Sequence, residues 1–299
     1  MSKVYLFSVG PDTPPLMTVD PGAEFTVEVE GAFDDIDDIT AVPTPFTSES
    51  EGHPLAPITG PIEVRGAEPG DAVVIELRRI TPHGVGRNAI LRAFGVLREE
   101  FPDPRIIACP IRDGMAWFGD RIPVAIEPNL GTVSTMPPAG YKPAYAGAYG
   151  GDLDQRHVEA GSRLHLPVLM PGAGVFFADP HAAIKDGIVS GTGIECAVTL
   201  EASIELDKGR AVARPLIERA DSIQVVGFGE TVEAATEDAT RHAVDYLART
   251  TDLGREQAYM LLGAIGDLRV GTSPRPVMAA RLIIPRAPLA AAGWTGAAG

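Results

Sequence analysis

Apolar and polar positions alternate over short stretches along most of this chain, and glycine or proline interrupts them every few residues. Residues 3–9 (KVYLFSV) and 24–30 (EFTVEVE) repeat with the period of two that marks a strand with one buried face. Residues 60–80 (GPIEVRGAEPGDAVVIELRRI) give strand, turn, strand around Glu68-Pro69-Gly70-Asp71. Further short strands are expected in RIIACPI, MAWFG and IPVAI within 89–130, and in 162–206, which ends on the alternation CAVTLEASIEL. The segment PNLGTVSTMPPAGYKPAYAGAYGG, up to Gly151, carries too many breakers for a strand and is expected to be a long loop.

Beyond Pro215 the period changes. DSIQVVGFG (221–229) predicts a strand. TVEAATEDATRHAVDYL (231–247) places apolar residues at 232, 235, 239, 243, 244 and 247, the spacing of a helix, with Thr231 as its N-cap. A second helix is expected over 253–266, then a returning strand in RVGTSPRPVMAARLIIP, then a loose tail. The fold class predicted is α+β, mainly β: an antiparallel barrel- or sandwich-like body over 1–215, which carries the site. A small α/β element over 216–299 packs on it to make one compact unit.

Composition narrows the function. The 299 residues are long enough to bury a large core, and 45% hydrophobic content with 22% charge is that of a globular protein. A net charge of −15 excludes nucleic acid or an anionic membrane as the main partner, since neutralising phosphate needs lysine and arginine. Two distant cysteines, Cys109 and Cys196, offer neither a disulfide framework nor a cysteine zinc site. Without a signal-peptide pattern or a long apolar run, the expected location is the cytoplasm.

Candidate chemistry concentrates between Tyr149 and Glu195, where apolar runs alternate with glycine-rich turns. Asp152 and Asp154 stand two apart, as do Asp179 and His181, and in extended chain such pairs project to one side. Asp186 follows in a Lys-Asp-Gly turn, and Glu195 closes the stretch beside Cys196. Both cysteines read as small core residues, and no GxSxG elbow is present, so neither a thiolate nor a serine nucleophile is expected. Histidine with carboxylates makes a mixed nitrogen and oxygen donor set, which suits zinc, with calcium as the alternative. The candidate metal ligands are His181, Asp154, Asp152 and Asp186; the candidate catalytic acids or bases are Glu195, Asp179 and Glu68. Tyr145 and Tyr149 are candidate substrate-binding walls in the aromatic loop. The four aspartates Asp34, Asp35, Asp37 and Asp38 lack calcium-loop spacing and predict a solvated loop. The remaining histidines (His53, His83, His157, His165, His242) are expected at the surface.

Four stretches, TGPIEVRGAEPGD (59–71), GGDLDQRHVEAGSRLHLPVLMPGA (150–173), DPHAAIKDGIVSGTGIE (179–195) and EQAYMLLGAIGDLRV (256–270), resemble the acetamidase/formamidase family in content and order. The resemblance implies an amidohydrolase that cleaves a small aliphatic amide to carboxylate and ammonia, and a homodimer or higher homo-oligomer. Gly31, Tyr149, Asp152 and Ile188 stand where the family pattern has other residues. They motivate the alternative of a non-catalytic small-molecule-binding protein on the same scaffold.

Overall fold

The structure is a computed structural model and describes residues 6, 8–34, 36, 38–45, 56–141, 145–272 and 276–297. Two sheets form a sandwich, and among the described residues neither closes into a barrel. The first has eight antiparallel strands. Their spatial order is Asp267–Thr272, Met278–Pro285, Ser222–Gly229, Leu216–Glu218, Arg163–Pro167, Ala72–Pro82, Val198–Asp207 and Glu24–Val29. The second runs through Ala146–Gly147, Gly150–Asp152, Asn129–Ser134, Val175–Ala183, Ile194–Glu195 and Val85–Ile90. It ends in an outer arm of Arg105–Arg112, Met115–Phe118 and Ile122–Ala125. Thr59–Val64 also pairs with Val175–Ala183, and Met17–Val19 lies parallel to it.

The alternation read from the sequence fills the space between the sheets. Val73, Ile75, Leu77, Leu164, Leu166, Leu200 and Ile204 face Ile62, Leu130, Val133, Val175 and Phe177, all buried in one cluster. Each such side chain contributes about 1.5–3 kcal/mol by leaving water. Helix α1 (Val232–Thr250) begins where the pattern placed it, Thr231 Oγ1 accepting from Ala234 N at 3.1 Å. With α2 (Arg255–Ile265) it covers Ile223, Val225, Leu282 and Ile284, a second apolar cluster.

Three expectations change. Asn129–Ser134, expected within a loop, is a fully buried central strand. Its Asn, Thr and Ser side chains hide it from a hydrophobicity pattern; inside the core Asn129 Nδ2 donates to Gln155 O, and Ser134 Oγ to the carbonyls of Thr135 and Tyr149. The stretch expected as one returning strand is a hairpin of Asp267–Thr272 and Met278–Pro285. The tail is docked: Leu289 is buried and Trp294 Nε1 donates to Tyr246 Oη at 3.0 Å. Of the strand expected over 3–9, residues 1–5 and 7 lie outside the described residues, and Leu6 and Val9 make isolated bridges. His53, Asp35 and Asp37 also lie outside them. No described helix is long and apolar enough to cross a membrane.

Candidate active site

The site begins as a row across one sheet. In register, Asn129 lies opposite His181, His181 opposite Glu195, and Glu195 opposite Arg87, on four neighbouring strands. Cross-strand partners share a face, so pairing alone brings the imidazole between an amide and a carboxylate. The Asn129 amide donates Nδ2–H to Gln155 O at 3.4 Å, which leaves Oδ1 to accept from His181 Nδ1 at 3.1 Å. That bond holds the ring with Nε2 toward the acids. Nε2 lies 3.0 Å from Glu195 Oε2, 3.7 Å from Asp179 Oδ2 and 3.9 Å from Asp154 Oδ1. Gly193 N donates to Glu195 Oε1 at 2.9 Å, and Asn88 Nδ2 holds the Gly193 carbonyl at 2.6 Å.

Two carboxylates enter the row by leaving ordinary strand geometry. Asp154 and Asp179 have φ of +45° and +57°, in the left-handed region. The gap between them is kept open by Gly131. A Cβ there would stand 2.4 Å from Asp179 Oδ2 and 2.7 Å from Asp154 Oδ1. Leu153 N and Asp154 N both donate to the Gly131 carbonyl, at 2.8 and 3.0 Å. Donor atoms of Asp154, Asp179 and His181 all lie within 4.8 Å of one another.

The electrostatics follow from crowding acids out of water. Burial raises the Asp154 carboxyl well above its ordinary value, and Asp179 adds to the rise. Burial and then Glu195 push Asp179 up to about 7. Burial alone would favour a neutral His181, but Glu195, Asp179 and Asp154 outweigh it and lift the imidazole to about 10. A divalent cation relieves this build-up of negative charge, and one nitrogen with two oxygens is a donor set compatible with such an ion.

Of the residues singled out from sequence, the fold brings together Asp154, Asp179, His181 and Glu195. Asp152 is buried at the end of Gly150–Asp152 and lies outside the three-donor group. The turn into the left-handed region at Asp154 breaks the alternation that would have paired the two. Asp186 is held by Arg281 Nη2 at 2.6 Å, also outside the group. Glu68 is exposed in its turn, its N–H donating to Asp71 Oδ2 at 2.8 Å. Tyr149 packs its ring 6.4 Å from Tyr141 beside an apolar cluster that includes Phe176 and Ala178, and Tyr145 is exposed. At Gly31 the space for a side chain is taken by Asp34, whose Oδ2 accepts from Gly31 N and whose Oδ1 accepts from Arg87 Nη1.

His165 departs from its surface expectation: it is buried, 2.9 Å from Glu218 Oε2. Sequence reasoning also passed over Asn129, Gly131, Gln155 and Arg281. The signal available was modest: an Asn-Leu-Gly run and a glutamine beside a candidate ligand.

A mainly β sandwich that buries a carboxylate and imidazole cluster fit for a divalent ion is the framework these observations define. The profile described as the Acetamidase/Formamidase family matches residues 8–140 and 129–287, and the chain belongs to that family. It is 24% identical to an acetamidase of Mycolicibacterium smegmatis over 85% of this chain and 83% of that protein. It is 26% identical to a formamidase of Methylophilus methylotrophus over 66% of this chain and 63% of that one. The crystal structure of an acetamidase from Bacillus halodurans superposes with a TM-score of 0.88 at 27% identity, covering 97% of each chain.

Proposed function

We propose that this protein is an amidohydrolase that cleaves a small aliphatic amide to its carboxylate and ammonia with the help of a divalent ion, zinc by the chemistry of its donors. The observation that carries the reading is the convergence of Asp154, Asp179, His181 and Glu195 in a buried cluster, within a chain of this family. An amide is a poor electrophile, so its hydrolysis needs a polarised carbonyl and a proton acceptor beside the attacking water. Asp154, Asp179 and His181 would hold the ion, which when bound supplies Lewis-acid polarisation and a more acidic water.

The remaining chemistry falls to the chain itself. Glu195, anchored through Oε1 by the Gly193 N–H, presents Oε2 to take a proton from the attacking water. The same carboxyl returns that proton to the departing nitrogen, which leaves as ammonia. Asp179, the second acid or base that the sequence offers, would help to hold the ion, so that exchange falls to Glu195. Asn129 keeps Nε2 of His181 turned toward the acids. Tyr149 and Tyr145 are proposed as walls of the approach, with no direct role in the chemistry.

Self-association belongs to the same proposal, supported by the exposed Val96, Leu97, Phe101, Ile107 and Ile122 on and beside the outer arm. A monomer at micromolar concentration by sedimentation would sink that part.

The test of the activity is ammonia release from formamide, acetamide and propionamide, with metal analysis of the same preparation. The expected result is about one zinc per chain, ammonia from at least one amide, and loss of both on chelation. His181→Ala should lower kcat/KM by at least about a hundredfold. Turnover that survives full chelation would overturn the metal-assisted mechanism, and no ammonia from any amide by a zinc-loaded protein would overturn the activity.

A further inference from the structure

Among the described residues, the largest fully buried side chain is charged. Arg281 stands on Met278–Pro285, opposite Val226 on one side and Arg269 on the other, with no exposed surface. A buried guanidinium is costly unless its donors are met; Nε of Arg281 is unmet, and the partners of its two terminal nitrogens show what the residue is for. Nη1 donates to Gln155 Oε1 at 2.7 Å and Nη2 to Asp186 Oδ1 at 2.6 Å. Those partners come from the two segments that flank the acidic cluster. One carries Asp154; the other follows the strand that carries Asp179 and His181.

Gln155 is the joint between them. It is fully buried, and its Nε2 donates to Leu153 O at 2.7 Å, so its side chain reaches back past Asp154. A Cβ at Gly271 would stand 1.8 Å from Gln155 Nε2, so a backbone without a side chain is needed there to seat the amide. Gly187 N donates to Gly271 O at 3.0 Å and fastens the second segment to the same strand. The Gln155 carbonyl accepts from Asn129 Nδ2, and Asn129 Oδ1 orients His181. Asp154 itself is held in the left-handed region, sparsely populated for any residue but glycine, and neighbours on both sides fix it there.

We infer that Arg281 is a positioning residue for the metal centre, acting through Gln155 to hold Asp154 and, through Asn129, His181. The inference rests on the metal-assisted reading above. Asp186, which the sequence offers as a ligand, here serves as the counter-ion of the arginine that does the holding. Lysine replaces it only in part, because one ammonium lacks the planar fork that reaches Gln155 and Asp186 together.

The experiment measures Zn2+ affinity by competition with a fluorescent chelator for wild type, Arg281→Met, Arg281→Lys, Gln155→Met and the Arg281→Met/Gln155→Met double variant. Leu247→Ala, in the helical cluster away from the site, serves as a control for stability alone. Loss of a residue that orients metal ligands weakens affinity by about 10- to 100-fold, the shift expected for Arg281→Met and Gln155→Met. Arg281→Lys should fall between wild type and Arg281→Met, and the double variant should bind no worse than the weaker single, as for two residues in one chain of contacts. In turnover, kcat should fall by a larger factor than KM rises, while Leu247→Ala lowers the thermal midpoint and leaves Zn2+ affinity unchanged. Wild-type affinity in a folded Arg281→Met would overturn the inference and leave the metal reading standing. So would losses in affinity that merely track thermal midpoint along the line set by Leu247→Ala. If Arg281→Met does not fold, Arg281→Lys and the near-isosteric Gln155→Met decide by the same criteria. A wild type that binds no Zn2+ overturns both readings together.

Discussion

Asp154 and Asp179 hold backbone conformations that cost roughly 1 kcal/mol or more for a residue with a side chain. Both face Gly131, the position where any side chain would collide with their carboxylates. Strain and crowding fall on the same few residues, which is how a cluster of like charges can be assembled inside a β core. A half-buried histidine shows the opposite balance. Burial, with the positive charges of Arg281, Arg219 and Arg156, lowers His157 to about 4, against a weaker opposing hydrogen bond from Gln224. Its folded-state value lies below the unfolded one of about 6.5, so the unfolded chain takes up this proton first as pH falls. The stability held by neutral His157 is therefore complete above about pH 6.5, declines toward about pH 4, and stays lost below. Discounted for a half-buried group, the loss is about 1–2 kcal/mol. Thermal midpoints of wild type and His157→Gln measured from pH 7.5 to pH 4 check it: the wild type should fall more steeply, and parallel curves would refute the assignment.

Helix α1 lies directly against the strand Ser222–Gly229. A Cβ at Gly227 would stand 2.1 Å from Ala239 N, and one at Gly229 2.6 Å from Ala235 N, so two glycines let the helix backbone rest on the strand. Ala235, Ala239 and Ala243 complete that contact with small side chains, and Val244 and Leu247 anchor the outer end. Gly227→Ala should push the helix off the sheet, at a cost of about 2–3 kcal/mol from overpacking a rigid site. Its denaturation midpoint should drop accordingly, whereas Gly263→Ala, where no atom lies within 4 Å of an added Cβ, should not destabilise. Equal midpoints for the two variants would show that the helix shifts freely. The helix and its cap were legible from spacing because local rules govern both. The depth of the contact was not, since it depends on which strand the helix meets.

At the scale of the molecule, the C-terminal strands continue the eight-stranded sheet of the body through Leu216–Glu218 and Arg163–Pro167. The pair His165 and Glu218 is buried across that junction, with Arg163 beside it at 3.1 Å from Glu218. A shared sheet and a buried histidine–carboxylate contact at the seam predict that residues 1–215 and 216–299 unfold together. Calorimetry should give one transition whose van't Hoff and calorimetric enthalpies agree. Two separate transitions would divide the chain into independent units.

The sequence by itself determined the mainly β class, the change to helices after Pro215 and Thr231 as a cap, and it offered Asp154, Asp179, His181 and Glu195 among a wider set of candidates. Each of these rests on short-range pattern, motif or residue chemistry. It could not separate Asp154 from Asp152, or His181 from Asp186, because two-residue spacing implies a shared face only while the strand stays regular, and here it bends. Nor could it find the strand Asn129–Ser134, whose polar side chains are buried by partners far along the chain. Tertiary structure decided the register that lines up Asn129, His181, Glu195 and Arg87, and it brought Arg281 to Gln155, 126 residues away. Contacts of that range depend on how strands pair and sheets stack, which no local period encodes.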